Sequence, residues 1–197
     1  KLISSAGPTV HTPTYEAAWE NYHANAKNNS NYTYAVDEHY YMEPEWFLAN
    51  THFYDDYSRD VKVFSGEYAA HDKEVKESTK RNNWRCALSE AAFLTGVERN
   101  ADVVYLASYA PLFARIGYEQ WAPDLIWFDD RTSYATPNYY VQQLYSDYTG
   151  KYTVNSELAG GEESGVYHIV SADEQGHLYV KLVNASDKEQ NIVLHID

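Results

Sequence analysis

The chain predicts an α/β fold: a parallel sheet built from strand and helix units in series, followed by a smaller antiparallel β unit. Three observations carry this. Four short apolar or alternating runs, at 2–5, 34–39, 61–67 and 124–129, each lead into a segment with helical spacing. From 147 to 165 the composition shifts to Gly, Ser, Thr and Glu around Gly160-Gly161, the signature of a boundary. Beyond it, the runs 166–170, 178–183 and 191–196 alternate or stay apolar between turn signals at Glu174-Gln175-Gly176 and Ala185-Ser186-Asp187-Lys188, as antiparallel strands do. Residues 1–150, 151–165 and 166–197 are therefore expected to form an α/β unit, a linker and the start of a β domain.

Each element has a local reason. The first strand closes at Gly7-Pro8, and Thr12-Pro13 supplies an N-cap and a first-turn proline for a helix running through Trp19 and Tyr22. The polar stretch 25–31 breaks that pattern, and the second strand then leads to a short, aromatic-rich helix over 44–50. The third strand passes through a charged loop, 72–81, into a helix in which Leu88, Ala91, Ala92 and Leu94 recur at helical spacing. Asn100 reads as the cap of a further helix, with Val103, Val104, Leu106, Ala107 and Ala110 on its apolar face, ending near Pro111. The fourth strand is followed by Thr136-Pro137 and a helix through Val141, Leu144 and Tyr145.

Composition narrows the function classes. A hydrophobic content of 44% is ample for a core. The 20 Tyr and 5 Trp suit stacking on sugar rings, and equally a partly wet, aromatic interior. With 29 acidic against 15 basic side chains the formal charge is −14, which repels nucleic acid and anionic membranes, so a neutral substrate fits better. No run approaches the roughly 20 apolar residues that span a bilayer. Cys86 is the one cysteine and sits among Trp84, Ala87 and Leu88, so a buried apolar thiol is expected rather than a disulfide or a nucleophile. The eight His residues lack metal-site spacing, and no glycine-rich phosphate loop follows a strand, so neither metal nor cofactor is expected. Three triplets, Asn28-Asn29-Ser30, Asn31-Tyr32-Thr33 and Asn184-Ala185-Ser186, fit the N-glycosylation acceptor pattern. The opening Lys1-Leu2-Ile3-Ser4-Ser5 reads as a strand already under way, with an amino terminus upstream.

The chemistry points to Glu67. The alternating run Val61-Lys62-Val63-Phe64-Ser65-Gly66-Glu67 ends in a carboxylate, and such a residue at the carboxyl end of a parallel strand reads as chemistry. In a regular strand Val61, Val63 and Ser65 share its face, while Lys62 and Phe64 take the other. The second strand ends in a comparable cluster, Asp37-Glu38-His39-Tyr40-Tyr41, so the two strands are expected to share a pocket. Parity places His39 with Asp37 and Tyr41 and leaves Glu38 behind them, as a supporting or salt-bridged residue.

The strings Val36-Asp37-Glu38-His39-Tyr40-Tyr41, Gly66-Glu67-Tyr68-Ala69, Glu98-Arg99-Asn100-Ala101-Asp102-Val103-Val104, Ser108-Tyr109-Ala110-Pro111-Leu112 and Pro123-Asp124-Leu125-Ile126-Trp127-Phe128 recur here in one order. Together with Glu45-Trp46-Phe47, Trp121 and Lys181-Leu182-Val183-Asn184-Ala185 they make the chain resemble the α-L-arabinofuranosidases of glycoside hydrolase family 51. The resemblance implies the second half of a (β/α)8 TIM barrel, its fifth to eighth strands, followed by the first strands of an antiparallel β-sandwich domain. It implies a retaining glycosidase that releases terminal arabinofuranosyl groups from plant oligosaccharides or polysaccharides. Glu67 then stands at the nucleophile, with His39 and Tyr41 as substrate-binding or nucleophile-orienting groups and Tyr68, His71 and Trp46 as further sugar contacts. The family's acid/base Glu follows an Asn, and no Asn-Glu pair occurs in this sequence, so that residue is expected outside the chain. Secretion or a periplasmic location is expected over the cytoplasm. The competing reading is a non-catalytic folded module: a half-barrel exposes strand edges and is expected to self-associate or to pack on the absent half.

Overall fold

The computed structural model describes residues 2–26, 28–29 and 32–196; Lys1 of the opening run, and Ser30 and Asn31 of two acceptor triplets, lie outside them. Strands β1 (Ile3–Ser5), β2 (Ala35–Met42), β3 (Val63–Ala70) and β4 (Val104–Tyr109) form a parallel sheet in chain order. Helices α1 (Pro13–Ala26), α2 (Pro44–Ala49) and α3 (Trp84–Arg99) fall in the three crossovers, as parallel pairing requires. Thr12 caps α1 by accepting from the Tyr15 amide at 3.3 Å, and Asn83 caps α3 by accepting from Cys86 at 3.0 Å. The core lies between one face of the sheet and these helices, where Val36, Tyr40, Val63 and Tyr68 meet Phe47 and Phe93.

Three expectations change. Residues 103–110 are not a helix: Val104–Tyr109 form β4, parallel to β3, with Val63 opposite Val104. Asn100 closes α3 instead of opening a new helix, its side-chain amide donating to the Gly96 carbonyl at 2.9 Å and to Asp55 at 2.6 Å. The adjacent β-branched Val103 and Val104 favour the pleated conformation once a partner strand is present.

The run 124–129 does not join the parallel sheet. Its central part, β6 (Ile126–Phe128), pairs parallel with β5 (Phe113–Arg115) and antiparallel with β7 (Ser133–Ala135), forming a separate small sheet. Helix α4 (Pro137–Asp147) follows, capped by Thr136 as the sequence indicates.

The third change concerns the carboxyl end. Strands β9 (Val166–Ala172) and β10 (Leu178–Asn184) are antiparallel, but the third member of their sheet is β8 (Tyr152–Thr153), drawn from the stretch read as a linker. Residues 191–196 carry no strand. Gly150 explains the pairing: a Cβ there would lie 2.6 Å from the Ala172 amide nitrogen, so only a glycine lets the backbone approach β9 this closely. This sheet rests on α3, where Tyr167 and Val183 pack on Ala91 and Ala92. Lys181 reaches across to pair with Glu98 at 2.7 Å, both side chains being nearly buried.

A buried carboxyl group braces the parallel sheet. Glu90 of α3 accepts from the Ala70 amide and from Asn138 of α4, each at 2.7 Å, which ties the end of β3 to two helices; burial pushes its carboxyl up to about 8. Cys86 is buried, and burial pushes its thiol up to about 12.

Candidate active site

Strand β2 separates its side chains with period two. Glu38 and Tyr40 turn into the core beneath the helices, leaving Asp37, His39 and Tyr41 on the opposite face. Among the described residues Glu38 has no salt-bridge partner; it is held by hydroxyl and indole donors instead. Its carboxyl accepts from the Tyr15 hydroxyl and Trp19 Nε1 at 2.9 Å, from the Tyr54 and Tyr57 hydroxyls at 3.0 Å, and from Tyr40. Burial raises its proton affinity above the ordinary carboxylate range.

Strand β3 breaks the expected alternation. Glu38 pairs with Ser65 but His39 pairs with Glu67, so Gly66 is an additional residue, a β-bulge. Val63 and Ser65 are buried on the helix side together with Tyr68, whereas Glu67 comes round to the face of Asp37, His39 and Tyr41. Glu67 therefore stands with the second-strand cluster, as expected, but its column neighbours are not Val63 and Ser65. A Cβ at position 66 would fall 2.0 Å from Asp37 Oδ1 and 3.0 Å from the Phe64 ring, so any side chain there must displace the Asp37 carboxylate. The Gly66 carbonyl accepts from Ser108 Oγ of β4 at 2.5 Å.

Around Glu67 the contacts converge on one oxygen. The Tyr41 hydroxyl donates to Oε2 at 2.5 Å, and His39 Nδ1 lies 3.5 Å from the same atom. On its other side the imidazole meets Asp37, Nε2 to Oδ2 at 3.1 Å. The hydrogen bond to Asp37 raises the proton affinity of His39, burial opposes it, and the charges of Asp37 and Glu67 add to the rise. Tyr41 stays a neutral donor, because burial and then the bond to Glu67 push its phenol upward. The Glu67 side chain is 42% exposed and the His39 side chain 14%, so the carboxylate opens to a ligand while its support is enclosed.

His71 follows the end of β3 and joins this face. Its ring centroid is 5.4 Å from Tyr41 and 5.7 Å from Trp121, and Trp121 lies 5.9 Å from Tyr41. Burial, with Lys73 and Arg81 adding to it, lowers the imidazole to about 4, so His71 is neutral and acts as an aromatic body. The three rings form a wall beside the carboxylate, and Trp121, 51% exposed, presents an open face. Trp121 carried no role in the sequence reading, since a lone aromatic in an irregular segment has no pattern to mark it.

Tyr68 and Trp46 are placed elsewhere. The bulge sets Tyr68 opposite Tyr40 in the core, where its hydroxyl donates to Gln142 of α4 at 2.5 Å. Trp46 stacks on Tyr40 with centroids 5.7 Å apart and packs against Phe47, Phe53 and Phe93, because α2 turns that side toward the buried face of β2. Neither side chain shares the Glu67 face.

Residues 66–197 match the family model of the α-L-arabinofuranosidase C-terminal domain. The chain belongs to that family. It is 47% identical over 158 residues to an extracellular exo-α-L-arabinofuranosidase of Streptomyces chartreusis, covering 79% of this chain and 17% of that protein. With α-L-arabinofuranosidase 2 of Arabidopsis thaliana it shares 34% over 161 residues, covering 81% and 23%. Among solved structures, the arabinose-bound family 51 α-L-arabinofuranosidase MgGH51 superposes with a TM-score of 0.72 at 30% identity, over 85% of this chain and 28% of that one. A family 51 α-L-arabinofuranosidase from Bifidobacterium longum, at 15% identity and a TM-score of 0.60 over 89% of this chain and 43% of its own, shows the same fold. The family indicated by the motifs is the family found. This arabinofuranosidase portion spans only 17% to 23% of those two curated relatives.

Proposed function

We propose that this chain carries the nucleophile side of a retaining α-L-arabinofuranosidase site, with Glu67 as the nucleophile. The observation that supports the reading is the convergence of the Tyr41 hydroxyl and the His39 imidazole on one Glu67 oxygen, in the carboxyl-terminal half of a parallel strand, in a chain of this family. Strands β1 to β4 are read as the second half of a (β/α)8 barrel, β4 standing in the eighth position that the sequence assigned to 124–129. Strands β8 to β10 are read as the start of a β-sandwich domain.

In this account Glu67 attacks the anomeric carbon of a terminal arabinofuranosyl group and a second carboxylic acid, contributed from outside these residues, protonates the departing oxygen. Water then reverses the bond. Retention requires the two carboxyl groups to stand about 5 Å apart. Tyr41 holds the attacking carboxylate in orientation, while His71 and Trp121 supply apolar faces for a sugar ring. The substrate is an arabinose-bearing oligosaccharide or polysaccharide, and secretion follows the name of the Streptomyces relative, which is extracellular.

The anomeric configuration of the sugar first released by the full-length protein tests this. Retention of the α-anomer, followed through the first minutes of turnover by NMR, is the expected result. Release of the β-anomer would rule out a covalent step at Glu67.

A second reading concerns the chain alone. Leu106 and Phe113 are more than half exposed and, among the described residues, β1 and β4 each pair on one side only, features that favour self-association of the isolated piece.

A further inference from the structure

We propose that Asp37 is a positioning residue of this site: its carboxylate fixes the His39 ring so that Nδ1 faces Glu67, and Gly66 is a glycine to make room for it. The proposal rests on the reading of Glu67 as nucleophile, and it adds a residue to which neither the motifs nor the relatives give a role.

Three observations carry it. First, the imidazole sits between two carboxylates, with Asp37 Oδ2 3.1 Å from Nε2 and Glu67 Oε2 3.5 Å from Nδ1. A carboxylate only accepts, so Nε2 must carry a proton, and only the imidazolium can donate on both sides. Second, the space into which Asp37 projects is the space a Cβ at 66 would occupy, 2.0 Å from its Oδ1. The bulge that turns Glu67 onto this face and the glycine that admits Asp37 are one local device. Third, among the described residues Asp37 Oδ1 is buried without a hydrogen-bond partner. Leaving such an atom unpaired is destabilising, so the bond from Oδ2 to the His39 ring is what accounts for a carboxylate here.

The charged groups facing His39 are Asp37 on its own strand and Glu67 on β3, with the neutral Tyr41 hydroxyl bonded to Glu67. The segment after β1 meets His39 through the backbone, where the Val10 amide donates to the His39 carbonyl at 2.9 Å. Asp37 thus anchors the ring through Nε2 and favours the imidazolium, whose Nδ1–H faces Glu67. Nδ1 at 3.5 Å is too far for a full hydrogen bond, and such contacts tighten when substrate closes the site.

The test pairs kinetics of the full-length protein with an NMR titration of its His39 ring. Asp37→Asn is expected to lower kcat by about 10²-fold, the scale of a small misplacement of a reacting group, with KM nearly unchanged. It is also expected to move the His39 midpoint to lower pH. Gly66→Ala keeps the charge at 37 but displaces it, and the same pair of changes is expected; this variant decides the matter where Asp37→Asn does not fold. Wild-type kcat in either folded variant overturns the proposal. So does a loss of kcat with an unmoved His39 titration, which would mark a purely structural role. Glu67→Gln is the separate control: should it retain turnover, the nucleophile reading fails, whatever Asp37 does.

Discussion

Replacing Glu67 by Gln in the full-length protein is expected to lower kcat on the order of 10⁴- to 10⁶-fold, the range seen when a covalent nucleophile is removed. The substitution keeps the volume and leaves an oxygen that can still accept from Tyr41, so the fold and substrate binding should be preserved. An amide oxygen does not form the glycosyl ester through which retention proceeds. The loss should therefore fall on kcat, and a rise in KM alone would contradict the assignment. Steady-state kinetics on an aryl arabinofuranoside, with circular dichroism to confirm folding, checks both points.

The isolated chain is expected to turn over the same substrate with little or no rate. A nucleophile without a general acid must expel an alkoxide unaided, and general acid help is worth roughly 10²- to 10⁴-fold. The open face of the site adds a further loss, because water reaches the half-exposed Glu67 that a closed barrel would exclude. Turnover by the chain alone at a rate within tenfold of the full-length protein, and abolished by Glu67→Gln, would show that the acid lies within these residues.

The four helices could be read in advance because each carries a signal over several turns or at its cap: Thr12-Pro13 and Thr136-Pro137 at two starts, and repeated apolar spacing through α3. Short strands gave no such warning. β5, β7 and β8 have three, three and two residues, too few to establish a period. Residues 103–107 satisfy helical spacing and β propensity together, and pairing with β3 settled the choice, a contact that no local pattern reports.

The same limit governed the site. That Glu67 lies on a parallel strand was legible, since it depends on one strand alone, but β3 does not end there: it runs on to Ala70. The facing of Glu67 depended on the register between two strands, and the bulge inserts Gly66 so that the alternation of β3 reverses beyond Ser65. Gly66 was the available signal, because an isolated glycine inside a strand pattern marks a bulge or a close approach, and here it marks both. Tyr68 was misplaced because the strand was expected to end at Glu67, whereas β3 runs on to Ala70 and turns Tyr68 to the opposite face. Trp46 went to the core because sequence shows that an aromatic is present but not which way its helix is turned.

The most direct measurement is covalent trapping. The full-length protein would be treated with a mechanism-based arabinofuranosyl reagent, digested, and the modified peptide identified by mass spectrometry. The account predicts a single arabinofuranosyl adduct on the Glu67 carboxylate, lost in Glu67→Gln. An adduct on a different carboxylate, with Glu67 unmodified in an inactivated protein, would contradict it.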